Sequence, residues 1–249
     1  MDHHAAALLT AFELHDVDAI TAAFAAGADP KAPIDGKPIM RWLTSMYTRS
    51  DRFPACVAAL LAAGVEPEDP ALLPVLLDDA TELAAALQRD PALLHYRTTM
   101  VSTFTPLDGA TLLHVAAEFG HVAACRTLLA AGADVDARAA IDAHGLGGQS
   151  PLFHTVNSNR NRSAPVMRLL LAAGADPLLR VQGLAWGRGF EWETTWFDLS
   201  PLSYAQLGPM PQMHRDERHI TANVGELLRA AGRPVPPLAN VPNRYVARG

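Results

Sequence analysis

Residues 108–138, DGATLLHVAAEFGHVAACRTLLAAGADVDAR, spell out two short helices together with the signals that end them. Asp108-Gly109 supplies a turn, Thr111-Leu112-Leu113-His114 opens the first helix, and Gly120-His121 breaks the chain before the second. The second helix, over 122–131, is closed by Gly132 in the left-handed conformation that only glycine enters at little cost. One such unit buries too little apolar surface to stand alone, so neighbours must cover its faces.

The neighbours are found by phase. Ala-Ala-Gly-Ala-Asp occurs at 25–29, 130–134 and 172–176, with Ala-Ala-Gly-Val-Glu at 62–66 and Ala-Ala-Gly-Arg-Pro at 230–234. The interval from Gly64 to Gly132 holds two units of roughly 34 residues, so a degenerate unit is expected between them, and 69–77 with 81–89 reads as its helix pair. Ser150-Pro151-Leu152 and Ser200-Pro201-Leu202 open two later units. At the front, 3–12 and 16–25 form a first pair and Lys37-Pro38-Ile39 opens a second. This gives six units over nearly the whole chain.

The 108–138 unit closely resembles the ankyrin repeat, with Leu112 where that family usually has proline. The resemblance is strong there, fair at 150–176 and 12–30, and faint at 69–91. The whole chain also resembles uncharacterised bacterial ankyrin-repeat proteins with long aromatic inter-repeat hairpins. The fold expected is an all-α ankyrin-repeat solenoid of about six helix pairs with long β-hairpin-like connections. Residues 1–233 form its single domain, and the proline-rich tail 234–249 packs as a cap. The resemblance implies a scaffold for recognising other proteins.

Bulk properties bound the function. Apolar residues make up 49% of the 249, but no run reaches the length of a membrane span. No positively charged leader with an apolar core and cleavage site begins the chain, so a cytoplasmic location is expected. The 18 arginines against two lysines, with abundant alanine, suit a GC-rich bacterial source. A net charge of −6, with 26 acids against 20 bases, gives no general attraction for phosphate backbones, so no nucleic-acid partner is expected. Cys56 and Cys125 fall at inward positions of second helices two units apart, where they pack as small apolar groups without pairing.

Three connections exceed what a repeat needs, and extra length in such proteins usually maps to the working face. Residues 95–109 alternate polar and β-branched types and read as an extended finger; 137–149 are glycine-rich. Residues 178–199 hold three of the four tryptophans around Gly187-Arg188-Gly189. If 178–185 pairs with 190–198, alternation places Phe190, Trp192 and Thr194 on one face and Glu191, Glu193 and Thr195 on the other. That aromatic face either packs on the flanking helices or walls a pocket.

Aligning Ser150-Pro151-Leu152-Phe153 with Thr111-Leu112-Leu113-His114 puts Phe153 at the position of the structural histidine. His154 then takes the variable position facing the concave groove. A polar run follows it, Thr155, Asn157, Asn159, Arg160, Asn161 and Arg162, which serves as helix caps or as ligand contacts. The same alignment puts Arg41 in the groove of the second unit with Trp42 beside it. In the last unit, prolines and a glycine at 208–211 interrupt the helix; a surface helix restarts near Gln212 and the final helix runs over 223–231.

No catalytic signature motif occurs, and neither a metal site nor a cofactor is expected. A cluster of His144, His154, Glu191, Glu193 and Asp198 remains geometrically feasible for acid–base or metal chemistry. Two functions compete. The leading one is binding of a protein or peptide through the concave face and the hairpins. The alternative is an enzyme or small-molecule binder with a pocket between the 178–199 hairpin and the groove. Arg41, Trp42, His154, Asn157, Arg162, Glu191, Trp192, Glu193 and Trp196 are the candidate contacts for either. An open face with outward tryptophans marks the first, and an enclosed cavity with His154 bonded to an acid marks the second.

Overall fold

The computed structural model describes residues 3–210 and 213–235. It is mostly helical, with 49% helix, and its helices pack in pairs as a helical repeat-like architecture. The pairs are α1 (His3–Leu14) with α2 (Val17–Ala25), α3 (Ile39–Ser45) with α4 (Phe53–Ala62), α5 (Leu73–Leu76) with α6 (Ala80–Arg89), and α7 (Leu112–Phe119) with α8 (Val122–Ala130). A 3-10 turn at Pro151–His154 pairs with α9 (Ala164–Ala172), and α10 (Pro201–Gln206) with α11 (Glu217–Ala230).

Each pair packs on its neighbours, so the buried residues form one core that runs from Leu8 to Leu227. Leu60, Leu128, Leu170 and Leu227 are fully buried, whereas Leu129, Leu169 and Leu228 are half-buried against that core. The repeated glycines do what the sequence implies. Gly27, Gly64, Gly132, Gly174 and Gly232 all lie just past a helix end with φ between 66° and 106°, where a side chain would be strained. Helix starts are equally legible: Asp16, Asp79 and Asp216 accept main-chain N–H groups at the first turns of α2, α6 and α11.

His114 ties two units together. Its Nδ1 accepts from the Thr111 N–H at 3.1 Å, so Nε2 carries the ring proton and donates to the Gln149 carbonyl at 3.0 Å. Cys56 and Cys125 are buried and unpaired, with burial pushing the Cys56 thiol up to about 11.

Several expectations need correction. Residues 70–72 form a 3-10 turn before α5, which is only four residues long. That brevity lets the second pair reach past the third: Phe53 of α4 stacks on Phe119 of α7 at 4.4 Å. The 95–109 segment is not an extended finger. A single bridge, Thr98 to Ala110, closes its base, and 102–105 fold inward because their hydroxyls find partners there. Ser102 donates to Glu118, Thr103 to the Ser45 carbonyl, and Thr105 bonds Tyr204. The segment therefore lies across the first helices of several pairs.

The 178–199 hairpin exists, with β1 (Val181–Trp186) antiparallel to β2 (Thr194–Leu199). However, 187–193 form its turn, so the strict alternation expected from Phe190 onward begins only at Thr194. This is the only sheet among the described residues. A single helix from Glu217, capped by Asp216, stands where a surface helix restarting near Gln212 and a final helix over 223–231 were expected. Most of the expected C-terminal cap lies outside the described residues. Among those described, no helix is long and apolar enough to cross a membrane.

Leu128→Ala is expected to destabilise the chain by about 2–5 kcal/mol, the usual cost of a buried leucine truncation. Because the central pair supports both flanks, urea unfolding followed by helix circular dichroism should shift as one transition. A separate early transition, with the rest of the curve unmoved, would show that the pairs unfold independently.

Candidate functional site

The site begins with one acid in an apolar helix. All eight residues of α7 are buried, and Glu118 is the carboxylate among them. Its Oε1 accepts from Arg49 Nη2 at 3.3 Å and from Ser102 Oγ at 3.2 Å, and its Oε2 accepts from His154 Nδ1 at 2.9 Å. Burial alone would raise this carboxyl, but the His154 hydrogen bond and the Arg49 charge outweigh it and hold the group below the usual carboxylate range. Arg49 enters from the loop between α3 and α4, which also supplies the Met46 and Thr48 carbonyls it donates to. Its guanidinium lies 4.6 Å from the Phe119 ring centroid and 5.5 Å from that of Phe104.

His154 is placed by the shortened fifth unit. Arg160 and Asn161 sit at positive φ, and the helix expected after Pro151 is reduced to a 3-10 turn. The asparagines of that run brace the last unit. Asn157 Nδ2 donates to the Tyr204 carbonyl at 2.5 Å, and Asn161 exchanges side-chain bonds with Asn223 of α11. Since a carboxylate only accepts, His154 Nδ1 carries the proton and donates it in the hydrogen bond to Glu118, and Nε2 is the ring atom left to meet anything else. Glu118 thus orients an imidazole in the manner of a general acid or base.

Around these groups lies a small inner cavity of about 30 Å³, lined by Arg49, Glu118, His154, Asn157, Arg162 and Arg215, among others. Three buried polar atoms of its lining residues have no protein partner among the described residues: Arg49 Nε, His154 Nε2 and Asn157 Oδ1. Such atoms are costly to bury and rare in native proteins. An outer chamber of about 520 Å³ adjoins it, lined by Tyr47, Phe104, Asn159, Trp186, Phe190, Trp192, His214 and Arg215. The two share Phe104, Asn159, Trp186 and Arg215. The chamber wall is a chain of rings: Phe104 stacks on Trp186 at 5.9 Å, Trp186 meets Trp192 at 4.6 Å, and Trp192 stacks on Phe190 at 4.7 Å.

The candidate residues separate into three groups. His154, Asn157 and Arg162 line the inner cavity and Trp192 the outer chamber. His154, however, is buried at 5% exposure rather than facing an open groove, because the 101–106 segment and the hairpin cover it. Trp196 packs behind the chamber on Trp186 and Tyr204.

The others lie elsewhere. Arg41 pairs with Glu68 and lines a separate pocket with Thr44, Leu72 and Met100, and Trp42 donates its indole N–H to the Ile34 carbonyl beneath Lys37. Glu193 caps its own turn by accepting from the Gly189 N–H, Glu191 is exposed, and Asp198 pairs with Arg180. The feasible cluster of His144, His154, Glu191, Glu193 and Asp198 is therefore not assembled. Among the described residues, no group of three or more histidine, cysteine or acidic side chains is placed to hold a metal.

Sequence reading missed Arg49, Glu118, Phe104, Trp186, Tyr204 and Arg215. Only Glu118 left a signal, as an acid in a helix otherwise apolar apart from its structural histidine. Arg49, Phe104, Trp186 and Arg215 arrive from connections whose course depends on packing, and Tyr204 comes from α10.

Compared with known protein families, residues 108–140 match the ankyrin repeat. No curated protein matches the chain. A short repeat match and paired helices support a general repeat-protein role in interaction.

Acid should destabilise the fold in two stages. Burial pushes His114 down to about 3, with the facing His154 adding to it, and pushes His15 down to about 4, with Arg49 and Arg162 adding. The unfolded chain protonates its histidines first, near pH 6.5, so stability falls as pH drops from about 6.5 toward 4. Glu118 contributes stability that is full above the unfolded carboxylate value of about 4.3 and is lost as pH falls through its lower folded value. Glu118→Gln strands Arg49 and should cost about 3–5 kcal/mol at pH 7. Urea midpoints measured from pH 8 to 3 check both statements, and a flat profile from pH 7 to 4 would contradict the first.

Proposed function

We propose that this chain is a recognition protein whose ligand is a small molecule, held between the inner polar cavity and the aromatic chamber under the 178–199 hairpin. The six helix pairs over 1–233 form one ankyrin-type stack in this reading, and its long connections build the site. The observation that carries it is the set of three unpartnered buried polar atoms on Arg49, His154 and Asn157 around one cavity. A scaffold that only stacks repeats gains nothing from burying them. The adjoining chamber falls within the roughly 300–1,000 Å³ typical of small-molecule sites, and its aromatic lining supplies apolar contact beside a few convergent polar groups.

One observation favours the protein-partner reading. Ile141 and Phe197 are 65% and 67% exposed on the connections outside the chamber, and exposed large apolar groups mark contact surfaces when they cluster. The general interaction role of repeat proteins fits such a partner. The middle of the face formed by the first helices is less available to it, since the chain's own 101–106 segment crosses there.

Native mass spectrometry of full-length protein isolated without denaturation separates the two. The small-molecule reading expects bound mass released on unfolding, and less of it on Trp192→Ala, whose loss of ring contact should weaken binding by about 1–3 kcal/mol. Phe197→Asp should leave that bound mass unchanged. Protein isolated from its native host without any small-molecule adduct, but with a partner chain lost on Phe197→Asp, would overturn it.

A further inference from the structure

The charges and shape of the two chambers say what kind of ligand fits, and this inference rests on the small-molecule reading above. Arg49, Arg162 and Arg215 all line the inner cavity, against Glu118 as its carboxylate. Glu118 is fully engaged by Arg49, Ser102 and His154. Arg162 is paired with exposed Asp51.

Arg215 stands apart from these. Its Nε donates to the Asn157 carbonyl at 2.6 Å and its Nη1 to the Met213 carbonyl at 2.5 Å, while Nη2 has no hydrogen-bond partner among the described residues. No acidic side chain lies within ion-pair distance of it among those residues. Its guanidinium sits 5.7 Å from the Phe104 ring centroid, and it lines both the inner cavity and the outer chamber. A half-buried guanidinium fixed by two carbonyls, with no carboxylate in contact and Glu118 already engaged by three donors, is prepared for an anion.

We propose that the site takes a carboxylate carried on a planar aromatic body, with the carboxylate beside Arg215 at the mouth of the inner cavity and the ring system among Phe104, Trp186 and Trp192. The inner cavity, about 30 Å³, has room for a water or two, which suits a flat carboxylate better than the tetrahedral oxygens of a phosphoryl group. The outer chamber, about 520 Å³, takes a bicyclic ring with space to spare. Stacked and tilted rings on its wall offer faces and edges to a planar ligand.

The test is calorimetric titration of the full chain with indole-3-acetate, its neutral isostere indole-3-acetamide, cyclohexylacetate and indoxyl phosphate. The acid should bind about tenfold or more tightly than the amide, as expected for a hydrogen bond to a charged group. Cyclohexylacetate should bind more weakly than indole-3-acetate. Arg215→Met should bring the acid down to the level of the amide. Because Arg215 also braces two carbonyls, Asn159→Asp serves as a second variant: Asn159 is exposed, lines both chambers and makes no side-chain hydrogen bond among the described residues. It should weaken the acid several-fold and leave the amide unchanged.

Acid and amide binding equally, both weakened by Trp192→Ala, would overturn the carboxylate and leave the small-molecule site standing. Indoxyl phosphate binding more tightly than indole-3-acetate would overturn it in favour of a phosphate. Failure of every aromatic probe to bind at millimolar concentration would overturn this ligand class, while the native mass measurement judges the site itself.

Discussion

The ion pair and hydrogen bonds on Glu118 set the arrangement of everything around them. A carboxylate inside a wholly buried helix is tolerated only if opposite charge and donors surround it. Here they arrive from three separate connections: Arg49 from the loop before α4, Ser102 from the inward-folded segment, and His154 from the shortened fifth unit. Removing any donor leaves the others buried around an incompletely satisfied acid. The packed helix pairs supply the frame, and this one side chain draws three of the connections to it.

Irregularity in the repeats is what makes room for the network. A full-length third unit would hold the second and fourth apart. Because α5 is four residues long, Arg49 and Phe53 reach α7 directly, and Phe53 stacks on Phe119. The first helix expected after Pro151 is a 3-10 turn, which brings His154 onto Glu118; Asn157 then donates to the Tyr204 carbonyl of α10, and Asn223 of α11 donates to the Val156 carbonyl. Each departure from the repeat removes helix hydrogen bonds and replaces them with side-chain contacts. The hairpin then lines one side of the chamber through Trp186, buried at 4% exposure.

The charge distribution follows the same logic. The chain as a whole is acidic, at −6, yet the cavity is lined by three arginines against one carboxylate. Local field inside a partly dry site is set by the few charges that line it, since intervening water screens the rest. Net charge therefore says little about one small pocket.

The sequence by itself determined the pairing of most helices and where glycine ends them, because glycine at positive φ, aspartate caps and the apolar helical period are local requirements that leave local marks. Gly132 and Asp79 are legible for that reason, and so is the hairpin around Gly187 to Gly189. It also flagged His154, Asn157, Arg162 and Trp192, as departures from a pattern otherwise kept. Arg41 and Trp42, flagged by the same alignment, lie apart from this cavity, one in an ion pair with Glu68 and the other with its indole bonded to a nearby carbonyl. Tertiary structure alone decided that His154 is buried, that 101–106 folds in rather than out, and that Arg49, Glu118 and Arg215 share a cavity. Those contacts join residues 36 to 69 apart and more, and no local period records where a long connection finds partners for its polar groups.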